Sequence, residues 1–384
     1  MSSTRHIRSA HSTLQDARGA VREFHAAVMQ PDTALVLFFA SSRYDLEALA
    51  DELDACFAGI PVVGCTTAGE IGPAGYRDHG LSGVSFPASS FIAVTGFLGD
   101  LKHFNVSQGQ ATAHALLQRL EASAPNANAS NSFGFLMIDG LSVREEPVGW
   151  TLHNALGKIP LVGGSAGDDG EFARTWVFHD GAFQTDSAIL VLISTGFPFK
   201  IFKTQHFVSL DERLVVTEAD PEHRIVKEIN GRPAAEEYAR VIGVPPDDLC
   251  TIRFASSPVV VVIDGTDYVR SIQKANPDGS LTFFCAIEEG LVFRVARGVD
   301  LIKGMSDALD ELIDEVGPTQ AILVCDCILR KMELAEHAQR EEAGRVLMAN
   351  NAVGFSTYGE QFNGIHVNQT LTGVAIGRGD EADV

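Results

Sequence analysis

Three stretches of the chain follow one plan, and that repetition restricts the fold more than composition can. Ala34-Leu35-Val36-Leu37-Phe38-Phe39-Ala40 starts thirty residues before Gly64, Phe133 through Asp139 starts thirty before Gly163, and Ala321 through Cys325 starts thirty-three before Gly354. Continuous apolar runs of this length, bounded by turn residues, predict strands buried on both faces. Between run and glycine, as in Tyr44 through Phe57, apolar residues recur at helical spacing. A second apolar stretch closes each copy: Ile60-Pro61-Val62-Val63, Ile159-Pro160-Leu161-Val162 and Asn351-Ala352-Val353. The predicted class is α/β (α+β), with mixed sheets flanked by helices, built from repeated strand, helix, strand units in two domains.

Each second strand runs into a similar turn: Gly64-Cys65-Thr66-Thr67-Ala68-Gly69-Glu70, Gly163-Gly164-Ser165-Ala166-Gly167-Asp168 and Gly354-Phe355-Ser356-Thr357-Tyr358-Gly359-Glu360. All three read as Gly, any residue, a hydroxyl (Thr66, Ser165, Ser356), then a glycine (Gly69, Gly167, Gly359) followed by a carboxylate (Glu70, Asp168, Glu360). Ligands of open α/β sheets bind at the carboxyl ends of strands. These turns are therefore the candidate ligand-binding positions, with the carboxylates suited to an ammonium group and the turn amides to a carboxylate. The competing reading gives the glycines no more than a tight reversal at positive φ.

At 384 residues about two domains are expected, and 45% hydrophobic content supplies ample core. A net charge of −21 opposes nucleic-acid and acidic-membrane surfaces, which need clustered Lys and Arg. The start, Met1 through Arg8, lacks a signal-peptide stretch, and no run approaches the roughly 20 apolar residues that span a bilayer. A cytoplasmic protein with reduced core thiols is the expectation. Nothing in the chain opposes a homodimer.

In order, residues 1–29 are an N-terminal helical segment, with its helix over about Leu14 to Met29. Residues 30–210 hold two tandem pseudo-repeats, residues 211–377 a second domain with the third repeat, and 378–384 an acidic tail. Ser82 to Phe86 and Phe91 to Phe97 read as a hairpin across Pro87-Ala88-Ser89-Ser90. Thr175 to His179 and Ser187 to Ile193 read the same way across Asp180-Gly181. Leu301 to Val316 reads as an amphipathic helix leading into the third repeat.

Gly163-Gly164-Ser165-Ala166-Gly167 satisfies the Gly-x-Ser-x-Gly pattern of a hydrolase elbow, but the elbow needs a helix at the serine and the chain turns soon to strand. No catalytic residue is assigned, and the expectation is that the chain is not an enzyme. Cys325-Asp326-Cys327 places two thiols on one face of a strand without the second pair that a zinc site requires. The histidines stand singly. His179, after Trp176-Val177-Phe178, and His366, in Gly364-Ile365-His366-Val367, have the most apolar settings, with His25 beside Phe24 a third; each is more often an ordinary core histidine than a ligand.

Together the three turns, Cys325-Asp326-Cys327-Ile328-Leu329-Arg330 and Gly354 through Thr370 resemble the FIST family, over about residues 30 to 377. The resemblance implies intracellular sensory modules of signal transduction that bind small ligands. The wording of Gly359 through Thr370 is similar to bacterial nitric-oxide-sensing haem members of that family. That similarity implies haem b on an axial histidine, His179 or His366, with nitric oxide as the signal. It also implies a partner histidine kinase controlling biofilm and cyclic-di-GMP output. A metabolite such as an amino acid, bound without haem at the glycine turns, is the alternative.

Overall fold

The computed structural model describes residues 6–379 apart from Asp264. The first repeat runs β1 (Arg8–Ser12), α1 (Ala17–Val28), β2 (Thr33–Ser41), α2 (Leu46–Cys56), β3 (Val62–Thr67), β4 (Glu70–Gly72), β5 (Gly75–Arg77) and β6 (Leu81–Pro87). The second follows the same order: β7 (Phe91–Leu98), α3 (Val106–Ser123), β8 (Ser132–Ile138), α4 (Glu145–Leu156), β9 (Leu161–Ser165), β10 (Val177–His179), β11 (Ala182–Gln184) and β12 (Ala188–Thr195). The third opens with β13 (Phe199–Thr204) and then leaves the plan. An insertion comprises β14 (Phe207–Asp220), β15 (Ile225–Ile229), β16 (Arg232–Pro233), α5 (Ala234–Ile242), α6 (Thr251–Ser256), β17 (Val259–Ile263), β18 (Thr266–Arg270), β19 (Ile272–Ala275), β20 (Leu281–Phe283) and β21 (Val292–Gly298). The plan resumes with α7 (Leu301–Val316), β22 (Thr319–Cys327), α8 (Ile328–Glu336), α9 (Arg340–Ala349), β23 (Ala352–Thr357), β24 (Glu360–Phe362), β25 (Ile365–Val367) and β26 (Leu371–Gly377).

The expected strand, helix, strand units are present, and in each the two strands pair in parallel: β2 with β3, β8 with β9, β22 with β23. Side chains of the long strands alternate between two apolar surroundings. Leu35, Leu37 and Phe39 join Phe133, Phe135, Met137, Leu323 and Cys325 in one central core, while Val36, Phe38 and Ala40 face the helices α1 and α2. The continuous apolar runs thus reflect strands covered on both faces. Several of the helices begin the same way, with Asp16, Asp45, Asn105 or Asp300 accepting from a first-turn amide.

The three sheets exchange hairpins in a closed cycle. Hairpin β10–β11 of the second repeat adds to β3 of the first, β24–β25 of the third adds to β9 of the second, and β4–β5 of the first adds to β23 of the third. The three resulting sheets have six strands each: β1-β6-β2-β3-β10-β11, β25-β24-β9-β8-β12-β7 and β13-β26-β22-β23-β4-β5. The insertion forms a separate eight-stranded sheet around its own core of Leu214, Val226, Tyr238, Phe254 and Phe293. It is called the cap below.

Two expected hairpins are not formed. Both edges of β6 are taken by β1 and β2, and both edges of β12 by β7 and β8, so neither has a free edge for its sequence neighbour. The turn after β6 instead carries the chain to the next sheet. Of the expected helix from Leu14 to Met29 the structure has Ala17–Val28, preceded by the short strand β1. Most of the expected acidic tail, 380–384, lies outside the described residues. Among the described residues no helix is long and apolar enough to cross a membrane.

Candidate functional site: the turn ring and the seam beneath the cap

The three predicted turns meet. Ala68 donates its amide to the Ser356 carbonyl (2.8 Å), Gly167 to that of Thr66 (2.9 Å) and Tyr358 to that of Ser165 (3.2 Å), which closes a ring of backbone hydrogen bonds across the repeats. The first glycine of each turn serves close packing. A Cβ on Gly64, Gly163 or Gly354 would stand 2.4, 1.9 or 1.8 Å from the carbonyl oxygen of Phe38, Leu136 or Val324 on the parallel strand. Positive φ applies only later in the turn, at Gly69 (135°) and Gly359 (149°). Of the three hydroxyls, Thr66 accepts from the Trp176 amide at 3.0 Å. Ser165 and Ser356 are fully buried and their hydroxyls have no hydrogen-bond partner.

The carboxylates are consumed internally. Glu70 accepts from the Thr67 hydroxyl (2.6 Å) and the Gly80 amide (2.8 Å), while Glu360 accepts from Thr357 and from the Thr370 hydroxyl (2.7 Å) and amide (3.2 Å). Asp168 accepts from the Phe172, Ala173 and Arg174 amides at 2.8, 2.7 and 2.7 Å and from the Tyr358 hydroxyl. The residue six positions after the first glycine, equivalent to Glu70 and Glu360, is Asp169, which sequence reading passed over. It accepts from Ser41 Oγ (2.7 Å) and from Ser42 Oγ (2.9 Å) and N (3.1 Å). Counting from the first glycine rather than the last would have found it.

Burial pushes the Glu70 and Glu360 carboxyls up to about 8, against the hydroxyl and amide bonds that favour their charged form. A carboxyl whose folded value exceeds its ordinary value of 4.5 stabilises the fold fully below that value and loses the contribution as pH rises through about 8. His366 works in the other direction. Burial pushes it from 6.5 down to about 4, so its contribution is complete above 6.5 and is lost as pH falls toward 4. The melting temperature is therefore expected to fall between about pH 6.5 and 8.5, and the double variant Glu70→Gln, Glu360→Gln to flatten that fall. A wild-type profile already flat over this interval would refute the assignment.

The structure does not bring the two expected haem ligands together. His179, at the end of β10, stacks on Phe97 with centroids 5.4 Å apart and 13° between planes, and its Nδ1 lies 3.4 Å from Asp180. His366, on β25 and 1% exposed, has Nδ1 at 2.8 Å from Gln361 Nε2, and its carbonyl accepts from Arg270 of the cap at 2.7 Å. Its Nε2 has no partner, but a Cβ on Gly359 would meet the ring at 2.2 Å. His25 sets its ring against Phe57, with centroids 4.9 Å apart. Neither expected ligand fits a haem as placed: one ring is covered by Phe97, and the other is packed among polar groups with backbone against its open nitrogen. Among the described residues no cluster of three or more His, Cys, Asp or Glu could hold a metal ion. Cys325 and Cys327 are buried thiols pushed up by desolvation, away from reactive thiolate.

Sequence reading missed how the cap is held. Its apolar contact places Ala255 and Phe284 with Ala68, Ile328, Leu329 and Tyr358 beside the turn ring. Around this contact runs a polar seam. Gln369 Nε2 donates to the Ala255 carbonyl (2.7 Å), and Arg224 reaches from the β14–β15 turn to Glu145 (2.7 Å) and Glu146 (2.6 Å) at the start of α4. At the root, the Val299 amide donates to the His206 carbonyl (2.8 Å), joining the strands that enter and leave the cap.

His206 also ends a buried relay. Tyr76 donates to Asp326 (2.6 Å), Arg330 Nε donates to the other Asp326 oxygen (2.6 Å), and Arg330 Nη1 donates to His206 Nδ1 (3.1 Å). Because guanidinium only donates, Nδ1 accepts, so Nε2 carries the proton given to Glu333 at 2.9 Å. Burial pushes His206 below its ordinary value, consistent with this neutral form.

Three internal repeats closed by hairpin exchange, with a cap on a single root over the turn ring, define the class of protein. The chain belongs to the FIST family: residues 34–232 match the FIST N domain and residues 234–363 the FIST C domain. FIST domains are sensor domains of signal transduction. An uncharacterized protein of Methanocaldococcus jannaschii, MJ1623, is 23% identical over 381 residues, covering 89% of this chain and 73% of its own. Among solved structures, a cyanuric acid hydrolase and the cyanuric acid hydrolase of A. caulinodans each align over 97% of this chain and 99% of their own. Their identities are 10% and 8% and their TM-scores 0.38 and 0.34. The expectation that the chain is not an enzyme is corrected on this finding, since hydrolases align with it over almost its full length. Scores so low transfer neither an activity nor residue roles.

Proposed function

We propose that the chain is a cytoplasmic sensor in which a small polar metabolite, bound at the seam between turn ring and cap, biases the position of the cap, and that a partner histidine kinase reads that position. One observation carries the reading. At the seam His366 Nε2, Gln369 Oε1 and Ser271 Oγ are buried without a hydrogen-bond partner, and buried polar groups without partners are costly enough that a ligand satisfying them is favoured. A ligand acts on the cap only through unequal affinity for its positions, and a site built half from each body provides that inequality.

The haem reading has the unpartnered Nε2 of His366 in its favour and the close packing of Gly359 against that ring opposed to it. Two measurements separate the readings. In a thermal-shift panel of amino acids and related metabolites, a ligand at about a hundredfold its Kd is expected to add about 2.7 kcal/mol of stability, and the gain to vanish in His366→Ala. Haemin titration is expected to give no saturable Soret band. A stoichiometric band that moves with nitric oxide would replace the metabolite by haem, and an unresponsive panel would remove it.

A further inference from the structure

Hairpin β4–β5 and helix α9 approach each other through two glycines: a Cβ on Gly75 would lie 3.2 Å from Gly344 Cα. Beside this contact opens a cavity of about 550 Å³ whose lining includes Arg77, Asp78, Arg340, Glu341, Arg345 and Met348. Ligand pockets occupy about 300 to 1,000 Å³.

The charges on this wall are out of balance. Asp78 is held by Lys331 and Arg340, each at 2.6 Å, and these partners keep its carboxyl at about 2, so its charge is answered twice. Among the described residues Arg77 has only the Tyr76 carbonyl as acceptor (2.7 Å), Arg340 Nε is buried without a partner, and Arg345 makes no ion pair. Against the three arginines of the wall stand Asp78, already satisfied, and Glu341. In a chain of net charge −21, a concave wall of this sign is out of character. Nothing in the seam accounts for it.

We propose that this cleft is a second binding site, for a small organic oxyanion, a phosphate monoester or carboxylate. Its head is bridged by Arg77, Arg340 and Arg345, and its short apolar body lies against Met348. Planar guanidinium forks bind such groups by paired, charge-assisted hydrogen bonds. An oxyanion there removes the mutual repulsion of the arginines and fills the open valence of Arg340 Nε.

The test is calorimetric titration of the full chain, in low-chloride buffer, with inorganic phosphate, glycerol 3-phosphate and succinate in turn. Wild type is compared with Arg345→Ala, Arg77→Ala and, as a control for diffuse charge, Lys158→Ala. Arg77, Arg345 and Lys158 are exposed side chains, so all three variants are expected to melt with the wild type. At least one probe should bind wild type and Lys158→Ala alike and bind each arginine variant about tenfold more weakly, the loss of one charge-assisted hydrogen bond. The phosphate and carboxylate arms decide which oxyanion is preferred. Failure of every probe to bind, or equal binding by all four proteins, overturns the proposal. The seam reading is untouched by either outcome, because its own test depends on His366.

Discussion

Arg224→Ala is expected to cost about 3–5 kcal/mol of stability, the usual penalty for removing one partner of a buried ion pair. Arg224 is 8% exposed and is the cation that meets both Glu145 and Glu146. Even with that help, burial and the neighbouring Glu146 leave Glu145 pushed up to about 7. Without Arg224 the two carboxyls face each other under the cap, so the deficit should deepen as pH rises through 7. Arg224 also donates to the Phe284 carbonyl, so the cap loses its grip on α4 and on its own loop together. Urea unfolding gives the loss, and limited proteolysis should show cleavage within residues 207–298. Adding Glu145→Gln and Glu146→Gln should recover much of it. A single Arg224→Ala variant that unfolds at the wild-type midpoint would show that the seam does not anchor the cap.

Arg330→Met should be comparably damaging, about 3–5 kcal/mol, for the same electrostatic reason at the opposite end of the cap. Arg330 is 1% exposed and Asp326 fully buried, so the substitution strands a carboxylate in the core with only Tyr76 to bind it. His206 Nδ1 loses its donor in the same step. The double variant Asp326→Asn, Arg330→Met removes both charges at similar volume and should be the more stable of the two, as seen with ion pairs replaced as units. If the single variant is as stable as wild type, the relay has no structural weight at the cap root.

The repeat plan was legible because both faces of β2, β8 and β22 are covered, which forces long apolar runs, and because two parallel strands need a crossover helix of nearly fixed length. The exchange of hairpins was not legible. Which edge a three-residue strand such as β4 or β24 joins is decided by partners hundreds of residues away, and Glu70 to Gly72 reads alike whether it pairs at home or with β23. The cap shows the same limit. The domain change near Asp211 and the return to the repeat through α7 are both legible, but no residue pattern between them reports that the insertion folds around its own sheet and core.

For the site, turn positions were readable and turn chemistry was not. The ring is made of backbone amides and carbonyls, which no side-chain pattern reports. The apolar neighbours of His366 were visible, yet Gln361 reaches it only through the β24–β25 pairing and Arg270 only through the docking of the cap. Arg330 carried an unused signal: it follows Asp326 by four residues where a core strand passes into a helix, a spacing that sets the two charges side by side.

The hairpin cycle has a consequence for how such a molecule can be divided. Any one repeat cut from the chain holds an orphaned hairpin and an open acceptor edge, each fitting the other only in a neighbour. Three separate copies of a single repeat would satisfy every one of these pairings by swapping around a triad. The ring is thus indifferent to whether its three members are joined. The cap is not: a trimer of identical subunits would carry it three times or never, so a single cap over a threefold centre needs three unlike repeats, which one continuous polypeptide supplies.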